Sequence, residues 1–174
     1  MRTLGLQSPV RRRRRYNTFR GEVGQAAENA LSRQLATAAE HTKWATDVTE
    51  FTIGISKVYV SPVLDLYNNG VISVRAGPSP SVKMVTDGLR TATKSVKSDE
   101  KPLVHSNQGF QYRHALWRDT LRDAGLTQSM SRKGTCLDNA VIEGFFSHLK
   151  AEWFRIRQPG TIDEFHAGLT EYMS

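Results

Sequence analysis

Between Trp44 and Ala76 three β-prone segments follow one another with connections of only three to five residues. Trp44 to Ile53 is rich in Thr, Val and Phe, and Lys57 to Asp65 carries Val-Tyr-Val-Ser-Pro-Val-Leu. The third, Val71 to Ala76, comes directly after Asn68-Asn69-Gly70. Parallel strands need a crossover of a dozen or more residues, so strands this close must run antiparallel. Asn-Gly between two apolar runs is a strong hairpin signal, because both residues tolerate the left-handed backbone of a tight turn. Pro62 brings no N–H, so the second strand bends there or lies where the missing donor is harmless. The centre of the chain is thereby committed to an antiparallel meander.

Beyond the meander, helices and strands alternate. Gly77-Pro78-Ser79-Pro80 ends the meander, and Val82 to Val96 has Val82, Val85, Leu89 and Thr93 at helical spacing. Pro102 to His105 reads as a short apolar strand. Arg113 to Ala124 reads as a helix carrying Leu116, Trp117 and Leu121, with Gly125 as its stop. Leu126 to Met130 is a fifth short strand. Asp138 to about Arg157 is a long helix with Ile142, Phe145, Phe146, Leu149 and Trp153 as its core stripe, and Ile162 to Met173 is the last helix. An α/β fold with a mixed five-stranded sheet and helices on both faces satisfies this order and the right-handed crossover rule. It is the order of the ribonuclease-H-like fold.

Charge divides the chain into an arm and a body. Residues 1–34 carry eight Lys and Arg against two acidic residues, whereas the remainder is almost balanced at sixteen against fifteen. Arg11, Arg12, Arg13, Arg14 and Arg15 are consecutive. Such a run repels itself, stays extended and is attracted to polyanions, so a solvated tail and a nucleic-acid-contacting arm are the two readings. The expected organisation is a basic arm and linker over 1–42 and a folded core over 43–174. No apolar stretch approaches the roughly 20 residues a bilayer helix needs. No apolar run comes after the arginines to make a secretory signal. The single cysteine, Cys136, can form neither an internal disulfide nor a zinc cluster and reads as a small buried filler. The expectation is a cytoplasmic protein associated with nucleic acid.

Phosphodiester cleavage by paired divalent cations needs several carboxylates converging on one point. Asp47 interrupts a β-prone run, and Glu143 sits on the long helix at the rim of its apolar face. Lys150 lies seven residues beyond, nearly two helical turns, so the two share a face. A solvated helix face and an edge aspartate are the commoner explanations of such positions. Spacing alone does not separate the readings.

Three segments carry a resemblance that does. Lys-Trp-Ala-Thr-Asp-Val-Thr-Glu-Phe (43–51), His-Ser-Asn-Gln-Gly (105–109) and Ser-Met-Ser-Arg-Lys-Gly-Thr-Cys-Leu-Asp-Asn-Ala-Val-Ile-Glu-Gly-Phe-Phe (129–146) resemble the integrase-type catalytic core of bacterial insertion-sequence transposases, and within them the second-frame protein made by frameshifting. The third segment is highly specific to that family. The likeness implies three acidic metal ligands holding two Mg²⁺ or Mn²⁺ ions, with thirty-five residues between the second and third. Asp47 matches the first, Glu143 the third, and position 107 the second. Lys150 matches a basic residue that contacts DNA near the cut. Arg132 and Lys133 fall in the loop before the catalytic helix, where phosphate contact is expected. His105 reads as a packed strand-end histidine, and no sequence reason accounts for Gly144 beside Glu143.

Position 107 departs from the family, because this chain has Asn107 where the pattern has Asp. An amide oxygen can coordinate a hard cation but brings no negative charge. The arginine arm matches the linker that precedes the core in relatives, and the chain stops at Tyr172-Met173-Ser174 where relatives continue, so a truncated core is expected. Two functions are consistent with this. One is DNA transposition by metal-dependent cleavage and strand transfer, impaired by Asn107. The other is a non-catalytic DNA-binding fragment that pairs with itself or with intact transposase subunits.

Overall fold

The computed structural model describes residues 26–31, 37–131 and 139–173. One mixed sheet contains β1 (Lys43–Thr46), β2 (Thr49–Ile53), β3 (Ser56–Asp65), β4 (Val71–Gly77), β5 (Leu103–Ser106) and β6 (Thr127–Met130). β3 pairs antiparallel with β1, β2 and β4, while β5 pairs parallel with both β1 and β6. The meander therefore forms one side of the sheet and the two crossover strands the other, as a ribonuclease-H-like fold requires.

The sheet has six strands where the sequence predicts five, because the first breaks at Asp47-Val48. Its register does not slip: Thr46 pairs with Val63 before the break and Thr49 with Val60 after it. Continuing that register places Asp47 opposite Pro62. Proline has no N–H to donate, so the ladder lapses there. The Pro62 carbonyl takes the Thr46 hydroxyl at 2.8 Å. The missing donor expected to be harmless is thus what frees the backbone beside Asp47.

One face of the sheet is covered by α1 (Val82–Ala92), α2 (Phe110–Arg113) and α3 (Ala115–Asp123). Ser81 caps α1 by accepting from the Met84 N–H, and the His114 ring accepts from the Leu116 N–H to start α3. That turn at His114 separates α3, the helix read over Arg113 to Ala124, from α2, a short helix the sequence reading does not include. Gly125 has φ +68°, and the N–H groups of Gly125 and Leu126 return to the carbonyls of Arg122 and Leu121. Glycine is favoured at this left-handed helix stop.

The opposite face carries α4 (Ala140–His148), a π-helical segment (Leu149–Phe154), α5 (Arg155–Arg157) and α6 (Ile162–Tyr172). The expected long helix is continuous in direction but widened in its middle. Neighbouring residues of an α-helix point about 100° apart, whereas a π turn is wider. Here consecutive Trp153 and Phe154 both reach the Phe51 ring, at centroid distances of 6.4 and 4.9 Å, and both also contact Phe165. Ile142, Phe146, Leu149 and Trp153 are buried as the stripe predicts.

Side chains alternate across a strand. Trp44 packs under α1 and α3, while Ala45, Phe51 and Ile53 face the α4 side. By that alternation Asp47 also faces α4. Residues 26–31, within the expected linker, lie against β6, with Leu31 buried in the core. Among the described residues no helix is long and apolar enough to cross a membrane.

Candidate active site

The parallel pairing of β1 with β5 sets two side chains together. Thr46 and Ser106 are register partners and the last residues of their strands. Asp47 and Asn107 are therefore the first residues past two adjacent strand ends, where crevices form in α/β sheets. The Asn107 Nδ2 donates to Asp47 Oδ1 at 2.5 Å. That same oxygen accepts the Val48 N–H at 2.7 Å, and Asn107 Oδ1 accepts the Gly109 N–H at 2.7 Å.

These neighbours settle which way the amide points. A backbone N–H can only donate, and an ionised carboxylate can only accept. Turning the Asn107 amide over would set donor against donor at Gly109 and acceptor against acceptor at Asp47. Asn107 thus presents hydrogens, not lone pairs, to the Asp47 carboxylate.

Asp47 has its pKa raised from 3.8 to about 6. Burial is the main cause, the Val48 N–H opposes it, and the charge of Glu143 adds to it. Glu143, in the first turn of α4, is therefore within electrostatic reach of Asp47, although its own side chain is exposed. Beneath Asp47, the other face of the sheet is polar. Thr46 gives its hydroxyl hydrogen to Pro62, and the buried Tyr112 hydroxyl lies 3.5 Å from the same Thr46 oxygen. Burial, then the nearby Asp47 charge, pushes the Tyr112 phenol far up.

The Lys150 ammonium lies over the Phe51 ring, 5.5 Å from the centroid, at the start of the π segment. Phe51 is four residues beyond Asp47, about 13 Å along a strand at roughly 3.3 Å per residue. His105 is buried and its Nδ1 lies 2.9 Å from Ser129 Oγ, the packed role expected of it. A Cβ at Gly144 would meet nothing within 4 Å, so packing does not require that glycine. Arg132, Lys133 and Cys136, and Arg11 to Arg15, lie outside the described residues.

Sequence reading missed the backbone donors of Val48 and Gly109 and the hydroxyl pair beneath the site. Asn-Gln-Gly (107–109) does carry a signal, since an Asn side chain commonly bonds the N–H two residues on. The hydroxyl pair carries none, because it joins residues 66 positions apart.

A divalent cation requires oxygen lone pairs and favours carboxylates. Asp47 and Glu143 can supply them; Asn107 brings no charge, turns its N–H to Asp47, and has one lone pair of its oxygen on the Gly109 N–H. Among the described residues no group of three His, Cys, Asp or Glu is placed to hold a metal. The donor set as it stands does not fit a pair of divalent ions.

Comparison with known proteins gives the geometry its family. Residues 37–136 match the integrase core domain family. The chain is 45% identical over 173 residues to InsK, by name the transposase of insertion sequence element IS150 in Escherichia coli (strain K12); the match covers 99% of this chain and 61% of that protein. It is 36% identical over 173 residues to a transposase-like protein of Haemophilus influenzae, covering 99% of this chain and 79% of the relative. Among solved structures, the catalytic core domain of HTLV-2 integrase, in a dimeric form with magnesium, superimposes with a TM-score of 0.56. That superposition covers 76% of this chain and 86% of the other at 14% identity, a likeness of fold. The chain belongs to the insertion-sequence transposase family built on an integrase-type core domain.

Proposed function

We propose that this chain is a core for DNA transposition, built for divalent-metal-dependent phosphodiester cleavage and strand transfer, whose catalysis is impaired by Asn107. The observation that carries this reading is the Asn107 amide donating to Asp47 with its own oxygen held by Gly109. With a carboxylate at position 107, that residue, Asp47 and Glu143 would hold the metal, which would supply activation of the attacking hydroxyl and stabilisation of the leaving oxygen. The amide hydrogen and the Val48 N–H instead both occupy Asp47 Oδ1. Losing even an outer partner of a metal site costs about 10–100-fold in affinity or activity, and a lost ligand charge costs more.

Binding of DNA does not depend on that position. Lys150 over Phe51, Arg132 and Lys133 before α4, and Arg11 to Arg15 on the arm supply phosphate contacts, with element ends and target DNA as partners. Copies of this chain or intact transposase subunits are the expected protein partners, and the nucleoid is where such a protein works. A non-cleaving DNA-binding role is the behaviour this reading assigns to the chain as written.

The test is Mn²⁺- or Mg²⁺-dependent nicking and strand joining on DNA carrying element ends. The chain is compared with Asn107→Asp and with Asn107→Asp/Glu143→Ala. Cleavage by the Asn107→Asp protein alone supports the reading. Cleavage by the chain as written, abolished by Glu143→Ala, contradicts the impairment. Cleavage by none of them leaves only the DNA-binding role.

A further inference from the structure

The three site positions lie on three elements, β1, β5 and α4, and one short segment touches the packing of all of them. Residues 26–31 run along the outer edge of β6, where the Met130 N–H donates to the Glu28 carbonyl at 3.2 Å. The Leu31 N–H donates to Ser129 Oγ at 3.1 Å, and the same oxygen lies 2.9 Å from Nδ1 of buried His105. His105 precedes Asn107 by two residues on β5. The Leu31 side chain, 1% exposed, packs in the cluster that seats α4 on the sheet, with Ala45, Leu64, Ile142 and Phe146. Ala45 is two residues before Asp47, and Ile142 is next to Glu143.

We infer that Leu31 is a positioning residue, whose side chain sets where α4, and with it Glu143, stands against Asp47. This rests on the reading of Asp47 and Glu143 as the two carboxylates of the site. Its physical basis is that Ala45 is too small to fill the space beneath α4, so a leucine from outside the sheet completes the seat. Close-packed interiors transmit a missing side chain to their neighbours. Glu143 comes immediately after Ile142, so a shift of α4 toward the vacated volume changes the Asp47–Glu143 separation.

The experiment compares Leu31→Ala and the volume-conserving Leu31→Met in two backgrounds. In the chain as written, hydrogen exchange is measured on peptides covering residues 140–149 and, as a control, 82–92. Leu31→Ala should speed exchange across 140–149 about tenfold, leaving 82–92 unchanged, and Leu31→Met should restore it. Equal acceleration of both regions would make Leu31 an ordinary core residue and overturn the inference, as would no acceleration at all. In the Asn107→Asp background, Leu31→Ala should weaken Mn²⁺ binding about tenfold, with recovery in Leu31→Met. Undiminished Mn²⁺ affinity in Leu31→Ala also overturns it. If Asn107→Asp itself fails to bind Mn²⁺, the metal-site reading fails, and the exchange comparison decides the role of Leu31 by itself.

Discussion

The two halves of the site are built on different principles. Asp47 and Asn107 stand at adjacent strand ends in a fixed register, one largely buried, joined by a direct hydrogen bond and tied to backbone N–H groups. Glu143 and Lys150 ride on a helix that lies over the sheet, the first exposed and the second over an aromatic ring. Strand register is set by backbone pairing, so a neighbour of Asp47 is also a neighbour of position 107 whatever the side chains are. A helix lying on a sheet is located only by what it buries. The strand half therefore fixes chemistry, and the helix half depends on packing supplied from elsewhere.

Four outcomes sharpen or break that contrast. The largest is expected from Phe165→Ala, which empties the centre of the ring cluster formed with Phe51, Trp153 and Phe154. A buried Phe→Ala change costs about 3–5 kcal/mol, read as a shift in the urea midpoint. The Asn107–Asp47 contact should survive it, seen as an unchanged Asn107 side-chain amide resonance. Loss of that resonance in a still-folded protein would show the two halves to be one unit.

Next comes pH. The folded chain holds the Asp47 proton more tightly than the unfolded chain does, with a pKa of about 6 against 3.8. Stability from this group is therefore greatest below about pH 4, falls by on the order of 2–3 kcal/mol as pH rises to about 6, and then levels off. Urea unfolding at a series of pH values measures the slope, and Asp47→Asn should flatten it. A slope that survives that substitution assigns the effect elsewhere.

Asn107→Asp should cost about 1–2 kcal/mol at pH 8 without metal, since it removes a donor from Asp47 and adds a like charge. Millimolar Mn²⁺ should reverse the loss in thermal unfolding, as for any ligand bound only by the folded state. The chain as written should show no such rise. Smallest is Glu143→Ala, an exposed position, expected to change stability by less than about 0.5 kcal/mol. A loss above about 2 kcal/mol would place Glu143 among the structural residues and blur the contrast.

Much of the strand half is legible in the sequence. The short connections dictate the meander, Asn68-Asn69-Gly70 marks its turn, and there Asn68 Oδ1 indeed accepts the Gly70 N–H at 2.8 Å. Gly125 ends its helix as its position suggests. The break at Asp47 is not legible, because it depends on Pro62 falling opposite, and register is invisible until the strands pair. The π segment is hidden for a similar reason: Trp153 and Phe154 fit a helical stripe and its rim, and only the ring of Phe51 shows why both turn inward. The same holds for Leu31, in an alanine-rich stretch without strong periodicity to mark it as buried.

The central claim is that Asn107 fills with an amide hydrogen the place where Asp47 would meet a cation. Calorimetric titration of Mn²⁺ into the chain as written and into Asn107→Asp tests it most directly. The account predicts binding more than about 100-fold tighter in the Asn107→Asp protein. Equal affinities in the two proteins, with both folded, would contradict it.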